Sequence, residues 1–567
     1  MSVRDASDRD EPPVGSGAAL CAFRARRRAL AALAAFALAA CGAGPGGGGS
    51  GPGGDVGASR SAAADAGPAA AGATLRRGNG PEPDSLDPHL ARADSSANVL
   101  RDVYEGLTVL DRAGNPAPGV AERWEVSPDG LTYTFHLRAD ARWSNGEPVT
   151  AQDFVDSWRR LVTPATGAQY AKLLAPVEGA ADVVAGRAPP TTLGASAPDS
   201  RTFVVRLRAP TPYFAAIAAH WSTMPTYGAR APGRPGEAVS NGAFVLTEWV
   251  VGSHVGVRRN PAYWNAAAVR LDAVRFVHLP DANDEYRAYR AGELDVTYVL
   301  PQQPLDKLRA AHGAELVTGP QLGVMYYGFD LTKPPFRDAQ AVRQALSMTV
   351  DRERLVRQIT LLGEPPAYSW VPVGTAGHDS QQPAWSQLPY AARVEAARGL
   401  YAAAGYGPAN PLRFQLRFPT GATNERVALA VASMWKSALG VEVQLVPEEF
   451  KSLLQSINRR DAPMFRASWI ADYNDPSTFL DLLQSQFGIN LPKYANPAYD
   501  AELAAAALES DPARRRARLA AAERMLLEDV PVIPLYFFVN KHLVSPRVQG
   551  WYDNPTNVVY SRELALR

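Results

Sequence analysis

The side chains that most often carry catalysis are scattered through this sequence. The eight histidines form no cluster with cysteine at a spacing that binds zinc. The sequence has no Gly-x-Ser-x-Gly turn, no phosphate-binding loop and no His-Glu-x-x-His motif. Cysteine chemistry is unsupported too, because only Cys21 and Cys41 occur. We therefore predict a binding protein without metal or cofactor, and not an enzyme.

One short segment has polar side chains at a spacing that suits ligand binding. If residues 466–472 are extended, every second side chain lies on the same face of the strand. The side chains on that face are Arg466, Ser468, Ile470 and Asp472. The alternative is that Asp472 only caps the turn before Asn474-Asp475-Pro476, where Asx residues are common.

The first 40 residues predict export. Four arginines between positions 24 and 28 precede an apolar run from Ala29 to Ala40. This order is typical of a secretory signal peptide, and the run of about a dozen residues is too short to span a roughly 30 Å hydrocarbon core. Leu38-Ala39-Ala40-Cys41 resembles a bacterial lipobox, which implies cleavage after residue 40 and lipidation of Cys41. The alternative is a plain signal peptide with an incidental cysteine.

Residues 41–73 predict a linker. Beyond Cys41 they are almost only Gly, Ala, Pro, Ser and Asp. Such a composition cannot bury enough apolar surface to offset the entropy lost on ordering, so we expect a flexible tether.

The rest of the chain has the size and composition of a soluble globular protein. With 567 residues in total, of which 46% are hydrophobic and 20% charged, it exceeds a single hydrophobic core, so at least two lobes are expected. The formal net charge of +1 gives no electrostatic reason to bind nucleic acid or an anionic membrane surface.

Hydrophobic periodicity indicates an α/β fold with more than one sheet. Alternation predicts strands near residues 133–138, 203–207 and 412–418. A helical pattern follows from 427 to 438 and stops at Gly440, and the alternation resumes at 441–445, which predicts a β-α-β unit with parallel strands. Asp511-Pro512 predicts the start of a helix that runs to about residue 528, and an apolar run follows at 532–539.

Several longer motifs, in unbroken order from Thr74 onwards, carry a family resemblance. They are Leu75-Arg76-Arg77-Gly78-Asn79-Gly80, Ser85-Leu86-Asp87-Pro88-His89, Tyr104-Glu105-Gly106-Leu107, Gly119-Val120-Ala121-Glu122-Arg123-Trp124, Trp143-Ser144-Asn145-Gly146-Glu147-Pro148, Arg259-Asn260-Pro261-Ala262-Tyr263-Trp264 and Gly292-Glu293-Leu294-Asp295. The chain resembles the family 5 solute-binding proteins of ABC importers. Within that family, Trp469-Ile470-Ala471-Asp472-Tyr473-Asn474 resembles the oligopeptide-binding members.

The resemblance implies a two-lobe, three-domain periplasmic clamp with a hinge. The lipobox-like segment adds the expectation that lipid on Cys41 anchors this clamp in the cell envelope. Lobe I would comprise residues 74–104, 228–323 and 540–567, with domain II, residues 105–227, inserted in it. The other lobe, III, would be residues 324–539. The expected ligand is an extended oligopeptide, the expected partner is an ABC permease with its ATPase, and a monomer is expected.

The resemblance also implies roles for residues. Asp472 matches the anchor of the peptide amine, and the backbones of Ser468 and Ile470 match positions that pair with the peptide. Aromatic residues that match ligand-contacting positions are Tyr170, Tyr298, Tyr327 and Phe450. Trp469 matches a pocket position but could equally be core. Ala93 follows Arg92 in a loop that pairs with the ligand in the family, and Arg466 matches a basic residue that faces ligand carboxylates.

The sequence departs from the family pattern at four positions. Thr360 and Asn424 stand where family members have a lysine and a histidine directed at the ligand carboxylate. Arg92 replaces a glutamate and Phe538 a tyrosine. We therefore expect amine recognition to be retained, whereas carboxylate recognition and length preference stay open.

Other interpretations of the function remain open as well. Family 5 also binds murein peptides, dipeptides, glutathione and nickel complexes; the scattered histidines argue against nickel. From other classes, a peptidase is disfavoured by the absent motifs, and a sensor lipoprotein that does not transport is not distinguished by sequence.

Overall fold

The computed structural model describes residues 72–486 and 489–567. The predicted signal peptide, Cys41 and nearly all of the predicted linker lie outside the described residues. Within the described ranges, no helix is both long enough and apolar enough to cross a membrane.

Strands occur along the whole described chain. They are β1 (Thr74–Gly78), β2 (Thr108–Leu110), β3 (Pro116–Pro118), β4 (Ala121–Val126), β5 (Thr132–Leu137), β6 (Ala195–Asp199), β7 (Thr202–Arg206), β8 (Phe244–Val250), β9 (His254–Arg259), β10 (Ala273–Val277), β11 (Leu316–Phe329), β12 (Arg413–Pro419), β13 (Glu442–Glu448), β14 (Met464–Ile470), β15 (Val532–Leu543), β16 (Val548–Gln549) and β17 (Ala565–Leu566).

The helices lie between and beside these strands. They are α1 (Asp94–Val103), α2 (Ala151–Val162), α3 (Ala180–Val184), α4 (Phe214–Ile217), α5 (Ala282–Arg290), α6 (Leu305–His312), α7 (Gln340–Met348), α8 (Arg352–Arg354), α9 (Tyr390–Ala403), α10 (Ala422–Leu439), α11 (Phe450–Asn458), α12 (Ser477–Leu480), α13 (Pro497–Leu508) and α14 (Pro512–Asp529). A π-helical segment, Leu355–Thr360, continues α8, and short 3-10 segments such as Gln169–Leu174 and Trp221–Thr223 connect other elements.

Three larger sheets organise the described chain. The first has the order β1-β10-β9-β8 and the second β4-β5-β7-β6. The third has five strands in the order β13-β12-β14-β11-β15. The third sheet is mixed, because β12 is parallel to β13 and β14 whereas β11 is antiparallel to both β14 and β15.

The buried apolar side chains divide in the same way as the sheets. One large cluster joins the first two sheets and contains Leu75 and Phe276 together with Phe135 and Phe203. Two further clusters, represented by Tyr327 and by Phe465, cover the five-stranded sheet. Burial of this kind stabilises each body by roughly 25 cal/mol for every Å² of apolar surface removed from water. The cores therefore fit a protein with two lobes.

The local predictions are confirmed where periodicity and capping agreed. The predicted β-α-β unit is β12, α10 and β13, with the two strands parallel as expected. Gly440 ends α10 at a φ of 74°, a left-handed conformation that glycine adopts without a steric penalty. Asp511 caps α14 by accepting the Arg514 amide at 2.8 Å. The exact division into domains stays a prediction.

Candidate ligand-binding cleft

Strand β14 is fully paired along one edge and only partly along the other. It pairs with β11 over its whole length, from Gly323 opposite Ile470 to Phe329 opposite Met464. On its other side it pairs with β12 only at Met464 and Phe465. From Arg466 to Ile470 the second edge therefore has no neighbouring strand among the described residues.

The hydrogen-bond alternation of an antiparallel pair shows which backbone groups face this open edge. The Ala471 amide donates to the Leu322 carbonyl at 2.8 Å, so residues at odd positions of this segment direct their amides and carbonyls toward β11. Residues at even positions then direct theirs away from β11. Those residues are Arg466, Ser468 and Ile470, and the predicted pairing positions are thus at the open edge.

Asp472 lies two residues beyond the end of β14 and is exposed to solvent. Its backbone amide donates to the Thr478 hydroxyl at 3.2 Å. Over the described part of the chain, its carboxylate has no hydrogen-bond or ion-pair partner. Protein surrounds it on several sides, and this desolvation raises the pKa of Asp472 to about 6, with Lys172 acting in the opposite direction. A free carboxylate in this setting is suited to bind a ligand cation.

A cavity of about 220 Å³ opens beside Asp472. Its walls bring together residues from distant parts of the sequence. Four of the predicted site residues line it, namely Tyr170, Tyr298, Ile470 and Asp472. The lining includes Asp94, Asn98, Arg101, Tyr170, His220, Trp221, Tyr298, Gln321, Ile470, Asp472, Tyr473 and Asn557. By the predicted bounds, these residues belong to lobe I, to domain II and to lobe III.

Aromatic rings form much of the cavity wall. Tyr170 packs 4.9 Å from the His220 ring and 5.3 Å from the Trp221 ring, measured between centroids. Tyr298 lies on another wall, and its hydroxyl is 3.5 Å from an oxygen of Asp94. Burial raises the pKa of the Tyr170 phenol to about 12, so it remains a neutral donor and acceptor. Such rings give broad apolar contact with one polar end.

Arg466 lies at the opposite end of β14 from the cavity. It is half-buried and faces Tyr327 across the strand pair. Burial lowers the pKa of Arg466, while the phenols of Tyr536 and Tyr327 raise it. Its Nε is buried without a hydrogen-bond partner in the described ranges. The guanidinium is therefore incompletely paired within the protein.

The neutral residues at three positions where the sequence departs from the family pattern are committed to internal contacts. Thr360 is buried, and its hydroxyl donates to Glu364 at 3.0 Å. The Asn424 amide donates to the Pro419 carbonyl at 3.0 Å. Phe538 packs over Gly323, which pairs with Ile470 at the cavity end of β14.

The remaining predicted site residues are not brought to the cavity. Tyr327 is fully buried, 6.2 Å from the Trp435 ring, and Trp469 packs on the core side of β14 with its indole nitrogen 3.4 Å from the Thr478 hydroxyl. Phe450 begins α11 and is 57% exposed. Both backbone groups of Ala93 have internal partners, the amide with Asp84 and the carbonyl with Ser96. Their assignment to the ligand stays a prediction.

Two features of the cleft were missed in the sequence. The stripe of Asp94, Asn98 and Arg101 on α1 lines the cavity; its signal was three polar residues at the spacing of one helix face. The second feature is Tyr473, whose ring stacks on Tyr213 at 4.5 Å and 6°. No sequence pattern links those two tyrosines.

The comparisons with known proteins agree with this architecture. Residues 115–490 match the family model described as bacterial extracellular solute-binding proteins, family 5 middle. The periplasmic murein peptide-binding protein MppA of Escherichia coli strain K12 is 39% identical over 493 residues, which is 86% of this chain and 91% of MppA. The periplasmic oligopeptide-binding protein OppA of the same strain is 38% identical over 504 residues, 87% of this chain and 92% of OppA.

The fold is shared with a solved structure of that group. The unliganded open form of the murein tripeptide-binding protein MppA has a TM-score of 0.79 and 39% identity, covering 88% of this chain and 98% of that one. This chain therefore belongs to the family 5 bacterial extracellular solute-binding proteins, with their mixed α/β fold. It is a solute-binding protein and not an enzyme.

Proposed function

We propose that this chain is the substrate-binding component of an ABC importer and that it binds extended oligopeptides between its two lobes. The observation that carries the proposal is the open edge of β14, which runs directly to the unpaired carboxylate of Asp472. A peptide in extended conformation offers main-chain groups to such an edge and a cationic amine to such a carboxylate. Both are present in every peptide with a free amino terminus.

The relatives support the same class of ligand. OppA is named for oligopeptides and MppA for a murein peptide. The two are almost equally similar to this chain, so identity does not select between an ordinary peptide and a murein peptide. Asp472 suits either one, because both can present a free amine.

The proposal extends to the cell envelope. The relatives are periplasmic, and the lipobox-like Leu38-Ala39-Ala40-Cys41 supports attachment of the mature chain to a membrane through lipidated Cys41. The segment 42–73 would then tether a monomeric clamp within reach of the permease to which it delivers peptide.

Native mass spectrometry of protein purified from cells tests the ligand class. We expect co-purified mass that fragments as peptide and that is displaced by added free-amine tripeptide. A protein that carries no peptide and gives no heat with tripeptides in calorimetry would contradict peptide binding. Uptake of labelled tripeptide by cells with and without the gene separates transport from sensing.

The anchor has its own test. Cys41→Ser should fold and bind peptide unchanged, because no residue of the lobes is altered. We expect it to be soluble or to keep its signal peptide, whereas the wild type incorporates labelled palmitate and needs detergent for extraction, since each buried CH₂ contributes about 0.8 kcal/mol to membrane attachment. A wild-type protein that is soluble and unlabelled would refute lipidation.

A further inference from the structure

The cavity beside Asp472 holds a cation that the recognition of a peptide amine does not use. Arg101 is half-buried and lines this cavity from the last turn of α1. Its guanidinium lies 5.2 Å from the centre of the Trp221 ring. Its one hydrogen bond is a long one, 3.5 Å, to the Asn98 side chain. Across the described residues, no carboxylate lies within 4.0 Å of it.

The acidic residue on the same helix face makes no ion pair with Arg101 in the described ranges. Asp94 precedes Arg101 by seven residues on α1, and both charges act on the phenols of Tyr170 and Tyr298. Asp94 is instead beside the hydroxyl of Tyr298. Burial, with a smaller contribution from the Arg101 charge, lowers the pKa of His220 well below its usual value. Arg101 therefore faces the cavity without an ion pair among the described residues, in a lining that also holds the carboxylates of Asp94 and Asp472.

The size and the walls of the cavity suit a side chain. Its 220 Å³ would hold about seven waters at their share of liquid volume. Tyr170, Trp221 and Tyr298 supply apolar surface along which an aliphatic stem can lie. The cavity starts at the carboxylate that would hold the amine, so the group that enters it is the side chain of the residue bearing that amine.

We propose that this cavity is the subsite for the first side chain of the ligand, and that Arg101 makes it favour a side chain that carries a carboxylate. The preferred ligand is then a peptide whose first residue is acidic, with its amine on Asp472 and its side-chain carboxylate on the guanidinium of Arg101. This inference rests on the proposed peptide function and specifies the chemistry of one position.

Calorimetry with three tripeptides that differ only in the first residue, Glu, Gln or Lys, tests the subsite. We expect the wild type to bind the Glu peptide about tenfold or more tightly than the Gln peptide, because a hydrogen bond to a charged partner is gained. The Lys peptide should bind more weakly still. Equal affinity for Glu and Gln would overturn the subsite, whereas failure of all three to bind would instead contradict peptide binding itself.

Arg101→Met tests whether Arg101 causes the preference for an acidic first residue. This variant keeps the stem and loses the charge, so the Glu and Gln peptides should bind with equal affinity. Arg230→Met is the matched control, because that guanidinium also lies over a ring, 5.7 Å from Tyr227, but outside the cavity; it should keep the preference. If Arg101→Met also keeps it, the assignment to Arg101 is wrong and Lys172 becomes the cation to test. Should Arg101→Met fold poorly, the wild-type ratio between Glu and Gln still decides the proposal.

Discussion

The two ends of the segment from Arg466 to Asp472 are built differently although only five residues lie between them. At one end, Asp472 has a free carboxylate at the mouth of a cavity. At the other, Arg466 is half-buried among tyrosines, and the neutral Thr360 and Asn424 are satisfied by internal hydrogen bonds. The first end is poised to bind a charged group, whereas the second offers one incompletely paired guanidinium.

The difference indicates how such a cleft can be selective at one end and tolerant at the other. A fixed carboxylate requires an amine at a defined place. The open edge between the two ends contacts main chain, which is the same in every peptide. A single basic group at the far end, Arg466, strengthens the binding of only those peptides whose terminal carboxylate reaches it.

A substitution at the end that binds the amine should weaken peptide binding most. Asp472→Asn keeps the shape but leaves the ligand amine without a charged partner, at a cost of roughly 2–5 kcal/mol or about 30-fold or more in affinity. Calorimetry with a free-amine tripeptide measures it, with the N-acetylated tripeptide as control. If the wild type binds both peptides equally, Asp472 is not the anchor.

The same end should respond to pH. Desolvation by the surrounding protein raises the pKa of Asp472 to about 6 in the unliganded protein, and only the ionised carboxylate pairs with the amine. The peptide amine stays charged below pH 7, so affinity should fall as the pH falls through 6 and be about tenfold weaker at pH 5 than at pH 7. In Asp472→Asn, the affinity should be flat over this range; a pH profile that matches the wild type would assign the effect to another group.

The edge between the ends should show an intermediate effect. Ser468→Pro removes an amide that faces the open edge, while the neighbouring odd positions keep their bonds to β11. We expect roughly tenfold weaker binding of every peptide regardless of sequence, for the loss of about one main-chain hydrogen bond. Ser468→Ala keeps the amide and should bind as the wild type does. Thermal melting checks that the sheet is intact; unchanged affinity in a folded Ser468→Pro protein would argue against strand pairing.

The carboxylate end should show the smallest effect. Arg466→Met should weaken binding a few-fold, and only for the peptide length that places the terminal carboxylate near it. Free-acid and amide peptides of two to six residues measure the dependence on length. A flat profile in the wild type would mean that the terminus is not recognised at all.

Periodicity predicted the elements of the cleft but not its opening. The alternation at 412–418 and 441–445 located β12 and β13 because each strand buries one set of side chains. The open edge of β14 depends instead on where β12 ceases to pair with it, at Phe465, and nothing in the sequence marks that point. The alternation around Asp472 did suggest its neighbours on the strand face.

The cavity could not be predicted for a related reason. Its walls come from α1, from the segment around Tyr170 and His220, and from Asn557. Segments so distant in sequence meet only through the tertiary fold. The family resemblance predicted Tyr170 and Tyr298 as ligand contacts. It did not predict Arg101, because a single arginine near a helix C-terminus is ordinarily explained by the helix dipole.

The open edge of β14 also bears on how the protein behaves at high concentration. An unpaired strand edge is ordinarily a template on which other chains can add, and proteins avoid this by charging, shortening or covering such edges. Here the edge spans only Arg466 to Ile470, begins with a charged residue and ends at a cavity walled by α1 and by the tyrosines. A short edge that begins with a charge is a poor template for the addition of a second folded copy. The features that leave this edge available to an extended ligand therefore also disfavour edge-to-edge association.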